Sequence, residues 1–375
     1  MNLKLKNTPE QVELIKALGS KNPAVAREAS EAFAAFLGPV IQQVLLQAGS
    51  ASNIYTDAPF NEDDSPSYPL DLYYNEGVGN ISVWSQGMAG GLPTSMVSGG
   101  QELKIATYRL DSAVGFLKKY ARRSRLDVVS KGLERMAQEI LIKQERNAWA
   151  VVLKALANAT TNSTAHVIAG TTEDVFQVHD MNTLLTLNKR INESFDNGTP
   201  DTAYSNGITD LFVSPEVMEQ VRAFAYQPMN TRQGVAGGST AGSSIALPDN
   251  LREGIYRSAG LPEIYGIALN ELLELGASEK YNVLFKSLID ADSATVVGKN
   301  AGSFHSTNDE LLIGVDNSKG AFIRPVATQD NASGGSFTVL PDDQFSQRAD
   351  KTGFYGFLEE GRVCIDARAV VGLVI

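Results

Sequence analysis

The stretch LDVVSKGLERMAQEILIKQERNAWAVVLKALA, residues Leu126–Ala157, decides how this chain is read. Leu126, Val129, Leu133, Met136, Ile140, Ala148, Val151 and Leu156 recur at helical spacing, which gives one helix a continuous apolar face. Such a helix is a rod of roughly 45–50 Å, whereas helices in globular proteins average about 11–12 residues. The strict heptad fails between Gln144 and Ala148, which argues against a coiled coil and for a long helix laid across a sheet.

Immediately before it, Lys118–Asp127 reads KKYARRSRLD, with Lys118, Lys119, Arg122, Arg123 and Arg125 within ten positions. Upstream, a strand-like stretch around Asn80–Ser85 is followed by QGMAGGLPTSMVSGG and then by the alternating QELKIATYRLDSAVGF. Two strand patterns about a Gly/Pro tip predict a long β-hairpin. A lone hairpin is marginal in water, so one of this length needs another surface to lie on, and a neighbouring subunit supplies one.

The first fifty residues read as helix. Thr8-Pro9-Glu10 begins a run carrying Val12, Leu14, Ile15 and Leu18, and Pro23–Gln47 forms a second with Gly38-Pro39 as an expected kink. NIYTDAPFNEDDSPSYP then reads as an acidic extended arm containing Glu62, Asp63 and Asp64. Downstream, VHDMNTLLTLNKRINE predicts a helix, and DLFVSPEVMEQVRAFA a strand entering a helix through a Ser214 cap and Pro215. QGVAGGSTAGSS, residues 233–244, reads as a flexible loop. PEIYGIAL, YNVLFKSL, ELLIGVD, AFIRPVA, SFTVLP and the two runs of FYGFLEEGRVCIDARAVVGLVI read as strands. Strands and helices are segregated rather than alternating, so the fold class is α+β.

Composition narrows the function. The 375 residues are 43% hydrophobic and 20% charged, which is ordinary for a globular chain, and the net charge of -11 argues against a general nucleic-acid binder or an anionic-membrane binder. One cysteine, Cys364, excludes an internal disulfide and reads as a small buried residue. No apolar run approaches the ~18 residues of a membrane span, and the N-terminus lacks the apolar core of a signal peptide. His166, His179 and His305 have no metal-ligand neighbours at useful spacing and read as surface or loop residues. The Gly-rich loop lacks the Gly-Lys-Ser/Thr ending of a phosphate cradle. Asp63-Asp64, Asp342-Asp343 and Glu359-Glu360 read as solvated turns rather than as acid/base pairs. No catalytic residue, metal site or cofactor is expected.

An arm, a projecting hairpin and an outsized helix without a catalytic cluster suit a protein that connects copies of itself. In that order the elements resemble the major capsid proteins of tailed bacteriophages, of the Hong Kong 97 fold. The arm, the hairpin, the Leu126–Ala157 helix, LFVSPEVMEQVRA and the C-terminal FYGFLEEGRVCIDARAVVGLVI carry the resemblance. It implies an arm over 1–67, an extended loop over 68–117, a peripheral domain with a spine helix over 118–173, an axial domain over 174–338 and C-terminal strands over 339–375. It further implies an icosahedral shell of hexamers and pentamers, assembled in the host cytoplasm and enclosing phage DNA without sequence specificity. Scaffolding, portal and decoration proteins are implied as partners, and a membrane is not. An encapsulin-like nanocompartment shell is the alternative within the fold. An α+β enzyme with an unrecognised site and a soluble binding module are alternatives of other classes.

For the basic cluster, cations at the start of a helix are unfavourable by a few tenths of a kcal/mol or more. An acidic partner is therefore expected, and Glu62, Asp63 and Asp64 of a neighbouring copy are the candidates. Contact with packaged DNA is the other reading of these charges.

Overall fold

The computed structural model describes residues 9–47, 49–61, 65–69, 102–123, 126–161, 164–192, 207–223, 263–299, 302–328, 337–342 and 351–375. The chain divides into two units, each with its own core: Met1–Ser67, Lys104–Ala148 and Ile323–Val363 form the first, and Tyr68–Leu103, Trp149–Phe322 and Cys364–Ile375 the second.

The first unit is a sheet under helices. Helices α1 (Pro9–Leu18), α2 (Pro23–Gln47) and the short α3 (Lys118–Arg122) are joined here by the opening turns of α4 (Leu126–Asn158). The six-stranded sheet is built from β1 (Thr56–Asn61), β4 (Tyr108–Leu117), β12 (Phe322–Thr328), β13 (Thr338–Asp342), β14 (Lys351–Glu360) and β15 (Val363–Cys364). β1 runs parallel to β12, and β14 runs antiparallel to β4 over its whole length, from Lys351↔Leu117 to Glu360↔Tyr108. The apolar stripes expected of the helices meet the inward face of this sheet. Ile15 and Leu18 of α1, Phe33, Leu37 and Ile41 of α2, and Leu133, Met136 and Ile140 of α4 pack with Phe116, Phe354 and Leu358. Phe354 is fully buried, with its ring 5.2 Å from Phe33 and 6.0 Å from Phe116. Each such side chain contributes roughly 1.5–3 kcal/mol by leaving water.

The segment expected to form the second arm of the hairpin divides in two. β3 (Glu102–Lys104) pairs with β2 (Ser67–Pro69) as a two-stranded ladder, whereas β4 leaves it to become the full-length partner of β14. A sheet edge offered by the distant C-terminal segment outcompetes a lone hairpin, which has nothing to bury its faces. The remainder of the expected hairpin, including Asn80–Ser85 and its Gly/Pro tip, lies outside the described residues, as does the 233–244 loop.

The second unit holds a six-stranded sheet in the order β7 (Val167–Ala169), β16 (Val370–Val374), β11 (Leu311–Val315), β8 (Asp210–Val213), β10 (Ile267–Glu271) and β9 (Glu263–Ile264). β11 and β16 are buried at every position, which explains why LLIGV and VVGLV show no polar alternation. Helices α5 (Val178–Asn192) and α6 (Pro215–Ala223) bury Met181, Leu184, Val217, Met218 and Val221 in one cluster with Leu211, Leu269, Leu312 and Leu373. Ser214 caps α6 as expected, its Oγ accepting from Val217 N at 3.2 Å. The closing turns of α4 supply Trp149, Val152, Leu153 and Leu156, all buried. A separate two-stranded ladder joins β5 (Thr160–Thr161) and β6 (Thr164–Ala165).

Two expectations are corrected in this unit. YNVLFKSL is not a strand but the body of α7 (Lys280–Asp292), with Tyr281, Phe285 and Ile289 buried one turn apart. Eight residues contain too little of that stripe to distinguish it from alternation. PEIYGIAL is not one strand but the hairpin β9–β10, folded at Tyr265 (φ 55) and Gly266 (φ 78). Positive φ at both turn residues matches the right-handed twist of the flanking strands.

The α+β class expected from the residues is the class observed, with helices and mixed sheets in both units.

Candidate functional site

The basic cluster occupies α3 and its exit. Lys119 and Arg123 are exposed, Lys118 is half-buried, and Arg122 Nε donates to the carbonyl of Gly19 at 2.8 Å. Gly19 follows the last residue of α1, so the guanidinium sits at the negative end of that helix, where a cation is favourable. Arg122 thus has an acceptor within its own chain. Gly19 itself is required by close approach, since a Cβ there would lie 2.7 Å from Arg122 Cγ and 2.8 Å from Arg122 N. Arg125, Glu62, Asp63 and Asp64 lie outside the described residues. Arg122→Ala should therefore cost about 1 kcal/mol of stability, visible in urea unfolding of the unassembled protein. An unchanged midpoint would show that the bond to Gly19 contributes nothing.

A polar centre missed from the sequence lies in the same unit. Glu360, expected in a solvated turn, is the last residue of β14 and is 0% exposed. Its Oε1 accepts from Tyr108 Oη at 2.9 Å and from Arg362 Nε at 3.4 Å, and its Oε2 from Arg324 Nε at 2.8 Å and Gln144 Nε2 at 3.1 Å. The carboxylate is thereby saturated by donors from β4, β12, α4 and the turn after β14, which is the condition for burying a charge. Gln144 is the residue at which the apolar stripe of α4 breaks. The interruption is a buried donor and not a solvent-facing position.

Electrostatics follow from that enclosure. Burial first, then the Glu360 carboxylate, push the Tyr108 phenol up to about 12, so it remains a donor at any physiological pH. Burial is the largest influence on Arg362 and opposes its charge, but Glu360, Tyr108 and Tyr55 together outweigh it and raise the guanidinium above its ordinary value. The Arg362 guanidinium also lies 4.9 Å from the centre of the Tyr55 ring, whose hydroxyl donates to Ala148 O at 2.8 Å. Beside this centre is a cleft of about 160 Å³, lined by Tyr55, Asp57, Gln144, Glu145, Arg324 and Arg362. Glu145 turns its carboxylate to Ser50 Oγ (2.8 Å) and Ala51 N, capping the short turn after α2. Through these bonds the centre fastens α4 to the sheet.

Among the described residues, no group of three or more His, Cys, Asp or Glu side chains is placed to hold a metal ion, and no helix is long and apolar enough to cross a membrane. Cys364 is half-buried, and burial, followed by Asp366, pushes its thiol up to about 12, away from nucleophilic use at neutral pH.

His166 is the second correction. It is 0% exposed, with Nδ1 3.0 Å from Val370 O and 3.1 Å from Ala367 O, so the ring donates from Nδ1 and pins the chain before β7 to the chain before β16. Its partners lie more than two hundred positions away, which is why burial was not legible in the sequence. His179 and His305 are exposed as expected. Burial lowers the His166 pKa from its ordinary value, against the opposing pull of the two carbonyls. Below about pH 6.5 the unfolded chain therefore binds a proton that the folded chain resists, and stability falls as pH drops. We expect unfolding free energy to decline between pH 7.5 and pH 5, and His166→Gln to lose less over that interval. Equal declines in the two proteins would assign the effect to other groups.

No family model matches the chain, and no curated protein matches it in sequence. In structure it is similar to the capsid of the cyanophage P-SCSP1u, at 12% identity and a TM-score of 0.49, covering 87% of this chain and 88% of that one. It is similar to the capsid of an empty GTA particle at 11% identity and 0.48, covering 87% and 90%. It is also similar to the holo-SrpI encapsulin complex from Synechococcus elongatus at 11% and 0.44, covering 85% and 84%. Likeness at this level is one of general arrangement and carries no residue's role across.

Proposed function

We propose that the chain is the repeating subunit of a closed protein shell of capsid type, assembled from hexamers and pentamers and enclosing phage DNA. The observation that carries this reading is the ladder β2–β3. It belongs to neither six-stranded sheet, and it closes off a segment in which residues 77–101 contain no Asp, Glu, Lys or Arg. Apolar side chains such as Ile81, Val83, Trp84 and Leu92 within so neutral a run require cover. Copies of the same chain provide it when rings close through head-to-tail contacts. The general resemblance to capsid structures agrees with this reading.

Within the shell, Lys119 and Arg123 remain the cations of the cluster directed outward, and Glu62, Asp63 and Asp64 of a neighbouring copy are their proposed partners. Scaffolding and portal proteins are expected during assembly, and DNA inside. Lys119→Ala combined with Arg123→Ala should impair assembly even without DNA, while leaving the unfolding midpoint of the free subunit unchanged. Normal empty shells from that variant would dismiss the clamp.

The reading as a whole is tested by negative-stain imaging and light scattering of the purified protein, with and without co-expressed neighbouring genes. Shells or rings are expected. A monodisperse monomer at high concentration under both conditions would overturn the proposal, and shells filled with an enzyme instead of nucleic acid would replace capsid by nanocompartment.

A further inference from the structure

We propose that the cleft beside Glu360 binds a phosphate-type oxyanion between Arg324 and Arg362, as the free ion or as a terminal phosphate ester. The inference concerns the first unit alone and does not depend on shell formation.

Unused hydrogen-bonding capacity carries it. A guanidinium presents five N–H donors in a planar fork. Arg324 gives Nε to Glu360 at 2.8 Å and Nη1 to Asp57 at 3.4 Å. Arg362 gives Nε to Glu360 at 3.4 Å and meets the Tyr108 hydroxyl. The other N–H groups of both forks have no acceptor among the described residues. Bulk water reaches them poorly, because the two side chains are only 11% and 6% exposed. Both nevertheless line the cleft of about 160 Å³, which has room for several waters and so for one compact ion.

The chemistry of the occupant follows from what the forks lack. Two guanidinium groups share a single buried carboxylate, Glu360. They are short of acceptors and of negative charge, and planar forks match the oxygens of an oxyanion pairwise. A terminal phosphate brings three strong acceptor oxygens, enough to serve two forks at once, which the two oxygens of a carboxylate do less well. Enclosure away from bulk water strengthens each such bond.

Two carboxylates at the cleft set its limits. Glu145 accepts from Ser50 Oγ at 2.8 Å, and both its oxygens accept from Ala51 N, so its charge is held at that turn. Asp57 is about half exposed and reaches Arg324 only at the long distance given above. It is the competitor that an arriving phosphate displaces towards solvent. Asn53, also exposed, lines the same cleft.

Calorimetric titration of the unassembled protein tests the site, with inorganic phosphate and with phenyl phosphate, at constant ionic strength set by chloride. One-to-one saturable binding is expected, together with a higher urea midpoint in phosphate than in chloride. Asn53→Glu puts a carboxylate at the cleft and should weaken binding about tenfold. Asp57→Asn removes the competitor and should tighten it about threefold. Both positions are exposed, and the midpoint in chloride checks that each variant folds. Phenyl phosphate binding as tightly as phosphate assigns the site to an ester, and binding of phosphate alone assigns it to the free ion. No saturable heat with either probe, or affinities that neither substitution moves, overturns the proposal.

Discussion

Glu360→Ala is expected to destabilise the first unit by about 3–5 kcal/mol, the range for removing one partner of a buried ion pair. The size follows from what stays behind. Arg324 and Arg362 have side chains only 11% and 6% exposed, so without the carboxylate two guanidinium groups are left in a poorly solvated site. Tyr108 Oη and Gln144 Nε2 lose their acceptor at the same time, and each unmade bond to a buried donor adds to the cost. Asp57 provides only partial relief: it reaches Arg324 Nη1 at 3.4 Å and is half exposed. Urea unfolding of the unassembled protein measures the effect. A loss below about 1 kcal/mol would mean that water enters the 160 Å³ cleft and solvates the arginines. A second variant separates charge from packing. Replacing Glu360, Arg324 and Arg362 together with apolar residues of similar volume should restore much of the lost stability, because the desolvation penalty disappears with the charges.

That centre also shows what sequence reading can reach. The long helix was legible because its stripe recurs over nine turns, and its observed span, Leu126–Asn158, extends the expected one by a single residue. The cap Ser214 was legible because a capping side chain acts three residues away. Glu360 was not, because three of its four donors come from positions 36, 216 and 252 residues distant. A Glu-Glu-Gly run has the local chemistry of a turn, and only the register of β14 against β4 makes it a strand end. The one clue was the polar residue Gln144 inside an apolar stripe, and a break of that kind has two readings until its partner is known. Arg122 was half legible. One acceptor of its guanidinium is a carbonyl at the end of α1, more than a hundred residues earlier and beyond the reach of local reading. His166 and α7 failed for different reasons: the carbonyls that hold His166 lie more than two hundred residues away, and too short a window concealed periodicity in α7.

Trp149→Ala should cost the second unit about 3–5 kcal/mol, the range for emptying the site of a large buried aromatic. Trp149 is 0% exposed. Its ring meets Phe212 of β8 edge-on at 4.8 Å and Tyr281 of α7 at 5.7 Å, geometries worth more than area alone. The flanking positions on α4, Val152, Leu153 and Leu156, are equally buried and branched at Cβ or Cγ. They cannot collapse into an indole-sized space without leaving their rotamers, so the cavity persists. Trp149→Phe keeps an aromatic edge towards Phe212 and should lose only about 1–2 kcal/mol. The two variants together discriminate between a cavity and a general disturbance of the helix, since alanine is the better helix former of the two. Circular dichroism of urea unfolding is the measurement, because the substitution removes one of the chain's two tryptophans and changes the fluorescence signal. If Trp149→Ala costs no more than Trp149→Phe, the ring contacts are not what holds the end of α4 in its core. If the expected order holds, loss of shell formation in Trp149→Ala with an intact first unit would show that assembly depends on the seating of this helix, and not merely on its length.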